Sequence, residues 1–155
     1  MVSVSNNFMH AMKFASKWEW RDRPDGMPTD DPDDLGGYTR FGLSQRAHPD
    51  LDIRTITLPG AIERYKERYW DGHACDELEM PKAIAVFDTY VNFSYATAKM
   101  LTRGECTWQE IVKRRKDFRG ERVKQNPTQA KFLQGWLNRD IDLDKFCKIW
   151  EQDHE

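Results

Sequence analysis

Apolar positions recur at helical spacing along most of this chain. From about Asn6 to Glu19, Phe8, Met12 and Ala15 form one stripe, with Ala11, Phe14 and Trp18 beside it and Ser5 or Asn6 available as a cap. That helix is expected to end near Glu19. After Thr57, a hydroxyl suited to capping, Ile62, Tyr65 and Tyr69 mark one face of a second helix, which Gly72 would stop. Pro81 suits the first turn of a third, along which Ile84, Phe87 and Val91 line up. The run TWQE, Thr107 to Glu110, has the capping-box pattern, with a hydroxyl followed three residues later by an acid. Asn126-Pro127 opens another helix, and Leu143, Phe146, Cys147 and Trp150 form the apolar stripe of the last. One stretch breaks this rhythm. Between Trp18 and Ser44 lie seven carboxylates, four glycines and three prolines, and within it LGGYTRFGLS, with its paired Gly36-Gly37, predicts a short β-hairpin. Further strand is expected at most over Ile53 to Thr57. The pattern as a whole predicts an α+β fold that is mainly helical, with a small N-terminal β-hairpin packed on a helical body.

Composition narrows the function. A chain of 155 residues is the size of one domain, long enough to bury roughly two-thirds of its unfolded surface. Hydrophobic residues at 39% and charged residues at 32% indicate an ordinary soluble protein, and a formal charge of -2 gives no reason to expect a nucleic-acid partner. Six tryptophans exceed what so small a core needs, so some are expected at a ligand surface. Cys75, Cys106 and Cys147 are odd in number and far apart, which excludes a complete disulfide framework and predicts buried free thiols. The N-terminus lacks a basic start followed by a long apolar run, and no segment approaches the about 20 apolar residues of a membrane span. Synthesis in a cytoplasm with no export signal, and no stable membrane insertion, are the expectations.

The acidic loop admits three readings. For any single Asp the ordinary one is a solvated side chain. Asp22, Asp25, Asp30, Asp31 and Asp33 are also oxygen donors close in sequence, but the loop lacks the alternation and distal Glu of a calcium loop, so no metal is expected. The third reading is a glycosidase site, in which one carboxylic acid protonates the leaving oxygen and a second carboxylate handles water or the developing cation. Glu19 has a setting suited to the first task. Trp18 and Trp20 flank it, and an aromatic neighbour that excludes water keeps a carboxyl protonated near neutral pH. An ion pair with Arg21 or Arg23 is the competing role.

The order of motifs resembles that of the glycoside hydrolase family 108 muramidases, lysozyme-like enzymes found as phage endolysins and in related bacterial proteins. Their pattern runs E-G-G-Y, then N-D-P-x-D-P-G-G, then T-x-x-G-I. Here Glu19 is followed by DDPDDLGGYTRFGLS, in which Asp31-Pro32 matches D-P, Asp34 with Gly36-Gly37 matches D-x-G-G, and Thr39, Gly42 and Leu43 match T-x-x-G-I. YKERYWDGHACDELEMPKAIAVFDTYVN is similar to the family's Y-W and F-D-x-x-V-N strings, and NPTQAKFLQGWLNR to its F-x-x-G-W-x-x-R close. The chain departs from the pattern at Glu19-Trp20-Arg21-Asp22, in a longer loop to Asp34, and at Val91-Asn92-Phe93-Ser94. Beyond that point a shortened segment around MLTRGECTW replaces part of a peptidoglycan-binding portion, so residues 104–155 resemble a reduced C-terminal unit of one muramidase domain.

What the resemblance implies is a lysozyme-like fold and a peptidoglycan hydrolase that cleaves between N-acetylmuramic acid and N-acetylglucosamine. It needs no cofactor and acts as a monomer on glycan strands, in the periplasm after release from a host cytoplasm or from a virion. Glu19 would be the general acid, Asp34 the second carboxylate, and Thr39 a residue that helps hold the attacking water. Trp20, Tyr38 and Asn92 are the expected substrate contacts. A lytic transglycosylase, which needs a single acid, and a non-catalytic wall-binding module remain open alternatives. Trp70 and Trp136 are expected in the core rather than on a sugar platform, Asn92 bound to substrate or hairpin backbone, and Arg139 in an ion pair at a helix end. The run KRRK, Lys113 to Lys116, predicts an exposed helix face, and His73, Cys75 and Asp76 a loop with a buried thiol.

Overall fold

Ser5 starts the first helix as its pattern requires. In a computed structural model, which describes residues 5–20 and 38–155, its hydroxyl accepts a hydrogen bond from the Phe8 amide at 3.2 Å. The helix α1 spans Asn6–Glu19 and buries Phe8, Ala11, Met12, Phe14 and Ala15. Asp34, the paired Gly36-Gly37 and the rest of the acidic loop lie outside the described residues.

The hairpin forms, but with its turn elsewhere than at the glycine pair. Strands β1 (Thr39–Arg40) and β2 (Leu43–Ser44) pair antiparallel, Thr39 opposite Ser44 and Arg40 opposite Leu43. The two connecting residues are Phe41 and Gly42, with φ of 51° and 76°. Positive φ at both positions is the signature of a two-residue turn whose twist matches the strands. No strand forms over Ile53 to Thr57. The Gln45 side chain occupies that backbone instead, donating to the His48 and Leu51 carbonyls and accepting from the Ile53 amide. A segment held this way has no ladder to offer a neighbouring strand.

Thr57 caps α2 (Leu58–Tyr65), its hydroxyl accepting from the Gly60 amide. The helix then widens into a π turn over Lys66–Trp70 and tightens into a 3-10 turn over Asp71–His73. Gly72 therefore does not stop it. The reversal occurs at Ala74, which takes the left-handed conformation at φ 51°. Helix α3 (Lys82–Asn92) follows Pro81 and is buried from Ala83 through Thr89, which makes it the central helix of the body. A short helix, α4 (Tyr95–Leu101), starts at Ser94 where none was predicted. Helix α5 (Trp108–Gln125) carries the full capping box: the Thr107 hydroxyl accepts from the Glu110 amide at 3.1 Å, and the Glu110 carboxylate from the Thr107 amide at 2.9 Å. After a 3-10 turn at Pro127–Gln129, α6 runs unbroken from Ala130 to Asp153.

Three rings join the first three helical segments. Phe8, Trp70 and Phe87 meet edge to face, each pair of centroids 5.7 Å apart, at the centre of the core. Trp108, Ile111 and Val112 of α5 and Leu143 and Cys147 of α6 belong to the same cluster. The three cysteines are free and buried, as the sequence predicts, and burial pushes the Cys75 thiol up to about 12. Trp70 is core, but Trp136 is half-buried beside a surface cavity and outside that cluster. Among the described residues no helix is long and apolar enough to cross a membrane.

Candidate active site

Because α1 ends at Glu19, its carboxyl lies where the hairpin and α6 converge. Arg139 of α6 donates from Nη1 to Glu19 Oε1 at 2.8 Å. Arg21 and Arg23, the partners expected from the sequence, lie outside the described residues. The same guanidinium grips Asp88 of α3, through Nε at 3.1 Å and Nη2 at 2.7 Å. Arg139 sits well inside its helix, not at an end, so its charge is matched by side chains and not by a helix dipole.

Behind this pair lies a buried ionic lattice. Arg115 of α5, wholly inaccessible, donates from Nη1 to Asp88 at 2.9 Å and from Nε to Asp140 at 2.8 Å. Arg119, one turn on, binds both oxygens of Asp140 at 2.6 and 2.9 Å and the Asn92 side-chain oxygen at 2.6 Å. The Phe93 ring covers both guanidiniums, at 5.2 Å from Arg115 and 4.4 Å from Arg119. The run KRRK is thus not a uniformly exposed face, since Arg115 within it is wholly buried. Arginine suits this position because its fork reaches two carboxylates at once, which the single ammonium of lysine does not. With Glu19 ionised, Glu19, Asp88 and Asp140 balance Arg115, Arg119 and Arg139. With Glu19 protonated, one positive charge is left over.

The hairpin turn packs against another side of Glu19, whose side chain stays 20% exposed. A Cβ placed on Gly42 would fall 2.9 Å from the Glu19 Cβ, 3.3 Å from Oε2 and 2.5 Å from the Tyr65 hydroxyl oxygen. Only a bare backbone fits there. The turn is held in place through the Phe41 carbonyl, which accepts from the Tyr65 hydroxyl at 2.7 Å and the Trp20 indole at 2.6 Å. Gly42→Ala combines a left-handed backbone with these contacts and is expected to cost about 1–3 kcal/mol. Urea unfolding measures it, and a cost near zero would mean that the hairpin does not press on Glu19.

Electrostatics separates the two acids on Arg139. Burial raises the Glu19 pKa, Arg139 only partly opposes that, and the Asp88 charge adds to it. Burial also pushes Asp88 upward, but Arg139 and Arg115 together outweigh it and hold that carboxyl below its ordinary value. Asp88 is therefore held as the anion, while Glu19 is the acid of the two that takes a proton more readily. The Glu19 side chain is 20% exposed whereas that of Asp88 is inaccessible, so only Glu19 can meet a solute.

The remaining expected residues fall as follows. Trp20, half-buried, fastens the end of α1 to the hairpin, with its ring edge 5.5 Å from Phe41. Tyr38 leads into β1 with the Arg54 guanidinium over its ring at 4.1 Å. Thr39 stands on β1 opposite Ser44. Asn92 is taken by Arg119, so its oxygen serves the ionic lattice and not the hairpin backbone. Asp76 accepts from the Trp70 indole at 2.9 Å, which ties that loop to the core. Among the described residues no cluster of His, Cys, Asp and Glu is arranged to hold a metal. Sequence reasoning did not find Asp88, Gly42 or Tyr65 as neighbours of Glu19, although Asp88 lies in FDTYVN and Gly42 in TRFG.

Residues 22–93 match the family model described as glycosyl hydrolase 108. The matched stretch includes the hairpin, α2 and α3 and begins beyond Glu19. No curated protein and no solved structure matches the chain.

Proposed function

We propose that this chain, whose residues 22–93 match the glycosyl hydrolase 108 model, is a lysozyme-like muramidase of that family. It cleaves the β-1,4 bond between N-acetylmuramic acid and N-acetylglucosamine in peptidoglycan, with Glu19 as general acid. The observation that carries this reading is a partly exposed carboxyl with a raised pKa, one of whose oxygens is fixed by an arginine. Arg139 occupies Oε1, which leaves Oε2 as the oxygen that carries the transferable proton.

In the proposed reaction Glu19 gives that proton to the bridging oxygen as the bond from the muramic anomeric carbon breaks. Water adds to the anomeric carbon, with Thr39 of the hairpin and Asp34, which lies outside the described residues, as the groups that hold it and take up its proton. Arg139 then neutralises the carboxylate Glu19 becomes, and the lattice returns to equal numbers of opposite charges. Mass analysis of products from purified, peptide-free glycan strands tests the reaction. New reducing N-acetylmuramic ends carrying the elements of water are expected. Anhydro-muramic ends would establish a transglycosylase instead, and intact strands would remove the catalytic reading.

A further inference from the structure

We propose that the aromatic cluster of Tyr69, His73, Tyr90 and Tyr95 is a glycan-binding subsite that seats an N-acetylhexosamine ring of the strand presented to Glu19. This rests on the reading of Glu19 as the acid of a glycan-cleaving site. These rings border a cavity of about 490 Å³ at the end of the widened α2 and the start of α4, within the roughly 300–1,000 Å³ range of small-molecule sites.

Three features of the geometry favour a sugar polymer. The first is position. The buried Tyr65 links the two places through packed side chains: its hydroxyl lies against Gly42 beside Glu19, and its ring is 5.8 Å from that of Tyr69, which forms part of the cavity wall. The second is the form of the wall. His73 and Tyr90 are stacked at 3.5 Å and 13°, while Tyr95, 65% exposed, tilts over both at 6.1 Å. A pyranose has a face of C–H groups that packs on flat rings, and hydroxyl and acetamide edges that suit the polar tips of tyrosine. Arg68 and Ser94 at the same rim add donors. The third is extent: Phe93 and Ser94 also border a second cavity, of about 210 Å³, that ends at Trp136 and Arg122. Two cavities sharing a wall suit an extended strand better than a single small molecule. The half-buried Trp136 thereby gains a role that core packing does not give it.

The π turn explains how the sequence makes this wall. Widening α2 over Lys66–Trp70 lets Trp70 enter the core while Tyr69 stays beside the cavity, and the left-handed Ala74 then brings His73 onto Tyr90. Such bulges recur at functional sites.

The test uses the Glu19→Gln protein, expected to turn substrate over at least about 10²-fold more slowly, and a peptide-free tetrasaccharide of alternating N-acetylglucosamine and N-acetylmuramic acid, titrated by calorimetry. Tyr95→Ala is expected to weaken binding about tenfold, equivalent to about 1.4 kcal/mol, with an unchanged melting temperature because the ring is mostly in solvent. In the active protein the same substitution should act on KM rather than kcat, and His73→Ala should act alike. Unchanged Kd and KM in both variants would overturn the subsite even if the wild type cleaves glycan. Binding that depends on Tyr95 in a protein that cleaves nothing would uphold the subsite and overturn the assignment of Glu19 as acid.

Discussion

Clearing of purified Gram-negative peptidoglycan is expected to fall by about 10²- to 10⁴-fold when Glu19 is replaced by Gln, the range that a positioned general acid contributes. Gln retains an oxygen to accept from Arg139 and keeps the side-chain shape, but it has no proton to transfer. The fold should persist. Because burial holds the Glu19 carboxyl above the ordinary 4.5, the folded protein binds that proton more tightly than the unfolded chain. This group's contribution to stability is therefore present below pH 4.5 and is lost as pH rises through the raised value. Gln copies the neutral form, so the variant should lack that slope and be no less stable at neutral pH. The wild-type rate should follow the same proton, declining as pH rises through the folded pKa, since the ionised acid cannot protonate the leaving sugar. Calorimetric melting across pH, run beside turbidity assays, checks both. Full clearing by Glu19→Gln would move the acid elsewhere. Loss of clearing together with loss of the fold would make Glu19 structural.

Much of the fold was legible because helix ends are decided locally. Ser5, Thr57 and Thr107 each satisfy an amide three positions on, and the apolar stripes that follow them could be counted directly. The hairpin turn was not legible at its true position. Phe41 adopts positive φ because its carbonyl is pulled inward by Tyr65 and Trp20, partners that no local rule supplies. The run KRRK misled for a different reason: a charge run read linearly has no helical phase. Counted from Trp108, Ile111 and Val112, Arg115 and Arg119 fall on the inward stripe, so that signal was present. Glu19 could be singled out by its aromatic flanks. Its partner, 120 positions away, could not.

The second large effect follows from that inward stripe. Arg115→Ala is expected to remove about 3–5 kcal/mol of folding stability, since it leaves Asp88 and Asp140 inaccessible to water and short of a counter-charge. That is a large share of the about 5–15 kcal/mol a domain possesses, so the variant should melt near or below growth temperature. Arg115→Lys keeps the charge but loses the fork that spans two carboxylates, and should fall between. Lys113→Ala in the same run is the control. Its ammonium is 77% exposed and pairs with Asp117 one turn away, an interaction of the kind usually below about 0.5 kcal/mol. Urea unfolding followed by circular dichroism separates the three, and equal midpoints for Arg115→Ala and Lys113→Ala would mean that the lattice does not hold the helices together. Function should fail along with stability, in a defined order. Asp88 is what orients Arg139, and Arg139 is what fixes one oxygen of Glu19. Any Arg115→Lys protein that remains folded should therefore clear peptidoglycan more slowly per folded molecule, with its alkaline activity limit displaced from that of the wild type. A shift in that limit without a change in fold would show that the buried charges tune the acid as well as join α3, α5 and α6.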